Sequence, residues 1–132
     1  MQAHSSFMLI FRDTTPEKYE ALSPEQRKRS LDNWNAWYDG IAAAGQMHHG
    51  HPLQSAGRVG SKRRGETVFD GPFSEAKETI GGYFLISARD LEEAAEIAGR
   101  CPNLDYGMSV EVRPVATMCH LAEGLGMTSM RS

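Results

Sequence analysis

Three groups of residues in this chain could do chemistry by type and spacing. The first is Asp70 with His49 or His51. A carboxylate that orients an imidazole is a common acid–base unit, because histidine titrates near neutral pH. Asp70 also opens the run Asp70-Gly71-Pro72-Phe73. There it can instead cap its own turn, accepting from backbone N–H groups near Phe73. The second group is His48-His49-Gly50-His51. Imidazole suits zinc, copper or nickel, but the two-residue period of a strand puts only His49 and His51 on one face, with Met47, while His48 points away. A carboxylate such as Asp70 or Glu111 would have to complete a metal shell. The expectation is therefore a polar strand end, with no metal and no other cofactor. The third group is Glu111 with Arg113, together with Glu75, Lys77 and Glu78. An arginine in a pocket clamps a carboxylate or phosphate at two points; the same charges also suit an ion-pair network at a surface or interface. Tyr83, Phe73 and Lys77 join Arg113 and Glu111 as candidate binding residues. A nucleophile elbow, a P-loop, a dinucleotide fingerprint and a Cys-x-x-Cys pair are all missing from the sequence, which weakens hydrolase, NTPase and redox readings.

These side chains need elements to hold them. Phe7-Met8-Leu9-Ile10-Phe11 is a short apolar run and predicts a strand buried on both faces. Ser23-Pro24-Glu25-Gln26 predicts a helix start with a capping box, and Gly45 its end. Leu31, Trp34, Tyr38 and Ile41 recur at helical spacing and read as a core stripe. Residues 46–53 predict the histidine-bearing second strand. Residues 54–66 are polar, with Arg58, Lys62, Arg63 and Arg64 among glycines, and read as a short strand or hairpin with a basic surface tip. Thr67-Val68-Phe69 predicts a strand closed by Asp70, and residues 82–87 a further strand. Asp90 caps a second helix whose small stripe is Leu91, Ala94, Ala95 and Ala98, ending near Arg100 before Pro102. Val110 and Val112 alternate with Glu111 and Arg113 in a last strand. The tail, 116–132, reads as either disordered or a terminal turn.

The chain has 132 residues, a size for one domain, with a core at about residues 7–115. Its net charge of −3 argues against a dedicated nucleic-acid binder. Two cysteines, Cys101 and Cys119, are too few for a disulfide framework and predict reduced thiols. No run is long enough for a membrane span, and the start lacks a signal-peptide pattern, so the expectation is a cytoplasmic protein with no membrane partner.

The element order is β-α-β-β-α-β with a β-hairpin insertion, which predicts an α+β sandwich with both helices on one face of an antiparallel sheet. In the run 82–87, Tyr83 and Leu85 face one way, and Phe84 and Ile86 the other, so both faces are apolar. Two helices cover one face. A second copy is the simplest cover for the other, which predicts a homodimer.

Asp70-Gly71-Pro72-Phe73 with Glu75, Lys77 and Glu78, Gly81-Gly82-Tyr83-Phe84, and Val110-Glu111-Val112-Arg113-Pro114-Val115 resemble the YCII-related, or DGPF-domain, proteins. The resemblance runs from about Phe7 to Val115. It implies ferredoxin-like halves joined as a dimeric α+β barrel with a small-molecule cavity, its ligand unknown. It also implies a catalytic His–Asp pair, with Asp70 matching the motif acid and acid–base chemistry of the isomerase or lyase type. The alternative is a non-catalytic ligand-binding or regulatory dimer, since some DGPF proteins are associated with sigma factors.

Overall fold

The computed structural model describes residues 4–13, 18, 20–54, 56–70 and 79–131. The strands are β1 (Ser5–Asp13), β2 (Met47–Pro52), β3 (Val59–Arg63), β4 (Glu66–Asp70), β5 (Thr79–Ala88) and β6 (Met108–Pro114). The helices are α1 (Pro24–Ala43), α2 (Leu91–Gly99) and the short α3 (His120–Gly124), with a 3-10 turn at Pro102–Tyr106. Four strands form one antiparallel sheet in the order β2-β5-β1-β6, and β3 pairs with β4 in a separate ribbon. With the ribbon set aside, the order β1-α1-β2-β5-α2-β6 is a ferredoxin-like α+β fold, and the ribbon is the expected hairpin insertion.

Strand β1 is the centre of the core. Phe7, Leu9 and Phe11 are buried, while Met8 and Ile10 between them are only half-buried. The expectation of a strand buried on both faces is thus met on one face within this chain, because the helices cover only that side. Opposite β1, Phe84 and Ile86 of β5 supply the same inner layer. Gly82 pairs with Phe11 and Pro52, in line with them.

Helix α1 starts as its sequence dictates. Gln26 N donates to Ser23 Oγ at 3.1 Å and Ser23 N to Gln26 Oε1 at 2.8 Å, with Pro24 in the first turn. It ends at Ala44, followed by Gly45 with φ 75°. Trp34 and Tyr38 meet Phe84 of the sheet edge-on, and Trp37 lies tilted against it. Phe11 lies 4.8 Å from Phe84 and 5.0 Å from Trp34 between ring centroids. Contacts of this kind add about 0.5–1.5 kcal/mol each beyond area burial. The Trp37 indole N–H donates to Ile97 O at 3.1 Å and ties α1 to α2.

Helix α2 is capped by Asp90, which accepts from Glu93 N at 2.8 Å. Glu93 reaches back to Arg89 N, one residue before the cap. The stripe that packs is Ala94, Ile97 and Ala98; Leu91 and Ala95 are exposed, because the helix is rotated so that Ile97 fills the core. A bulge in β2 between Met47 and His49 alters the expected faces. Met47 pairs with Ile86 and packs on the core, whereas His49 and His51 oppose Leu85 and Tyr83 on the outer side. Of the two readings for the tail, residues 116–131 fold into a terminal turn around α3, where Met127 N donates to Ala122 O.

Candidate functional site

A cavity of about 510 Å³ lies between α1 and the sheet. Its roof is one face of α1, where Arg27, Ser30, Leu31, Trp34, Asn35 and Tyr38 follow each other in steps of three, one, three, one and three residues. Helical periodicity puts such a set on one side of the cylinder. Phe11 and Phe84 form the floor, with Gly50, Gly81 and Gly82 beside them. A Cβ on Gly50 would run into the Phe84 ring, and one on Gly82 would lie 2.8 Å from the His51 carbonyl oxygen. Glycine is thus required at both positions for β2 and β5 to approach and leave the space open. Asn103 and Met108 close one side, and the Ser30 hydroxyl donates to Asn103 Oδ1 at 3.2 Å. Leu31 is 55% exposed, because the space in front of it is solvent rather than side chains.

The sequence candidates collect on the opposite face of the sheet. His49 Nδ1 and the Tyr83 hydroxyl are 3.0 Å apart, and the His51 ring lies 6.0 Å from the Tyr83 ring and 6.1 Å from that of His49. An imidazole and a phenol in hydrogen-bond contact can pass a proton between them. On the far side of this face, Glu111 lies between two guanidinium groups. Its Oε1 is 3.0 Å from Arg12 and its Oε2 3.7 Å from Arg113. Glu111 therefore occupies the charge of Arg113, and the observed arrangement is the ion-pair network. Met8, Ile10 and Leu85 stand between the two polar groups, half-buried.

Asp70 ends β4, whose backbone pairs with β3 and not with the histidine strand β2. Sheet pairing therefore joins His49 and His51 to Tyr83 and Leu85. The Asp70 carboxylate, Phe73 and Lys77 lie outside the described residues, as does the rest of the Asp-Gly-Pro-Phe turn. Among the described residues, no third His, Cys, Asp or Glu stands with His49 and His51 as a metal-ligand set.

Apart from His51, which also borders the cavity, the cavity residues were not among the sequence candidates. Trp34 and Tyr38 read as plain core, and Arg27 and Gly82 were not singled out as site residues. Gly50 inside a strand was the available signal, since an interior strand glycine marks close approach of a backbone or ligand. Cys101, buried beside Met108, has its thiol pKa pushed up from 9.0 to about 11 by burial. It is an inert core residue, not a nucleophile. No helix of the described residues is long and apolar enough to cross a membrane.

Residues 6–118 match the family model of the YCII-related domain, and the chain belongs to that family. An uncharacterised protein of Rhizobium meliloti (strain 1021) is 46% identical over 54 residues, a stretch covering 39% of this chain and 44% of that protein.

Proposed function

We propose that this member of the YCII-related family binds a small molecule in the cavity beneath α1, and that it works as a homodimer closed over the outer face of its sheet. The cavity carries the reading. Its volume falls within the roughly 300–1,000 Å³ of ligand pockets, and its walls combine aromatic rings with a few polar groups. For the dimer, the support is the outer face itself. An apolar strip of Met8, Ile10, Leu85 and Tyr83 flanked by charged groups has the composition of an interface core with a polar rim. Two sheets meeting there would form the dimeric α+β barrel.

Binding is tested by thermal shift against a small-molecule library. A ligand at a hundred times its Kd stabilises by about 2.7 kcal/mol, and the substitution Asn35→Trp, which fills the cavity from an exposed helix position, should abolish the shift. Stabilisers that act equally on the Asn35→Trp protein would sink this site. Light scattering should return twice the chain mass of 14.6 kDa; a compact monomer at micromolar concentration removes the dimer.

The contact between His49 and Tyr83 favours a second reading, acid–base catalysis on the outer face with Asp70 as the orienting acid. A ligand that stabilises without being consumed marks a binding or regulatory module. Turnover that is lost in His49→Gln marks the catalytic one.

A further inference from the structure

We infer that the cavity beneath α1 takes a small organic anion with a flat apolar body, an aryl or alicyclic carboxylate, its charge held by Arg27 and its ring against the aromatic wall that Trp34 and Tyr38 form with Phe84. This rests on the cavity being a ligand site and adds the class of ligand. The first support is the balance of charge in the lining. Among the described lining residues Arg27 is the one arginine or lysine, His51 stands with it, and none is acidic. The Asp13 carboxylate lies against the Gly81 backbone but is not part of the lining. Among the described lining residues a cation ligand would meet no carboxylate, and a neutral one would leave the guanidinium unused. Among the described residues Arg27 uses only part of its donor set. One terminal nitrogen donates to Glu20 O at 3.0 Å, which fixes the group at the mouth. A guanidinium has five N–H donors in a rigid fork, and the rest can take a carboxylate.

The placement of Arg27 is a second observation. It is the fourth residue of α1, and Lys28 and Arg29 follow it. Positive charge near a helix N-terminus opposes the macrodipole. Lys28 is compensated by Asp32, one turn on. Arg27 turns toward the cavity, and a local rule broken at a pocket is where function is expected. The third observation is the shape of the space. The Trp34 and Phe84 rings are 5.5 Å apart between centroids, and Tyr38 and Phe84 are 5.4 Å apart, so three aromatic walls meet at one end. At Gly50 and Gly82 any Cβ would strike a neighbour, and glycine keeps the floor beside these walls flat. Flat rings stack on such walls, whereas a branched polar body such as a sugar would strand its hydroxyls against them.

The test titrates the full Trp37→Phe chain, which keeps Trp34 as its one tryptophan, with naphthoate and with naphthamide, its uncharged counterpart, by calorimetry and by quenching of Trp34 fluorescence. Naphthoate should bind about tenfold more tightly or better, the worth of one charge-assisted hydrogen bond. Arg27→Gln should erase that preference and leave naphthamide binding unchanged, while Arg29→Gln, outside the lining, keeps it. Added salt should weaken naphthoate binding alone, an independent readout if Arg27→Gln disturbs the helix start. Equal affinity for the two probes overturns the anion assignment and leaves the cavity as a ligand site. Failure of both probes to bind, or binding without a change in Trp34 emission, overturns the assignment and the cavity reading together.

Discussion

On the helix side of the sheet, Leu9 and Ile86 expose no surface and Phe7, Phe11 and Phe84 almost none. On the other side, one residue further along the same strands, Met8, Ile10, Leu85 and Tyr83 are half-buried and stand among His49, His51, Arg12, Glu111 and Arg113. Outside the cavity under α1, the inner face gains its stability from close packing, where a lost methylene is felt at once. The outer face mixes apolar and ionised groups, and exposed ion pairs add little. A face of that kind contributes through what covers it. The lesson is that folding stability and the proposed association of two copies fall to alternate residues of one strand.

The largest expected effect breaks or confirms this division directly. Phe84→Ala should cost about 3–5 kcal/mol in urea unfolding, because the ring touches Phe11, Trp34, Trp37 and Tyr38. Leu85→Ala, its neighbour on the outer face, should cost roughly 1 kcal/mol in the monomeric chain. Equal losses would mean that the two faces are not different in kind. Next comes Gly50→Val, whose side chain would collide with the Phe84 ring; overpacking of this sort costs about 1–3 kcal/mol. His51→Val on the outer face should be nearly neutral by the same measurement.

The inner face can also be read by pH. Because the Cys101 thiol is held at about 11 against an ordinary 9.0, the unfolded chain ionises first. Stability is full below pH 9 and falls as pH rises through about 11. Alkylation of native Cys101 below pH 9 should run about a hundredfold slower than that of an ordinary thiol. Fast labelling of Cys101 in the folded chain would contradict its burial. The smallest effect is Glu111→Gln, which should change the stability of the monomeric chain by less than about 1 kcal/mol. The same change should weaken dimer association measurably by sedimentation, and an unchanged association constant would take Glu111 off the interface.

Much of the fold was legible because its signals are local. Ser23, Gln26 and Gly45 set the bounds of α1, and alternation in Val110-Glu111-Val112-Arg113 set the faces of β6. The bulge in β2 was not, since nothing in Met47-His48-His49 announces an extra residue, and it moved Met47 to the core. The site was legible by half. His49 and His51 do share one face, as the period of two requires, and their neighbour there is Tyr83. The cavity was hidden because an aromatic residue facing empty space and one facing a neighbour have the same spacing. Only the third dimension shows that Leu31 and Trp34 stand over glycines.

The β3–β4 ribbon has a consequence for time rather than for energy. Its two-residue turn holds Arg64 and Gly65 at φ 52° and 82°, the hairpin geometry that matches strand twist. It shares no ladder with the four-stranded sheet, and a lone two-stranded hairpin is marginal in water. Its amides therefore trade protons with solvent through brief local openings, while those of β1 and β5 wait for the whole domain to open. One chain thus keeps two clocks, and hydrogen exchange should read the ribbon as the faster.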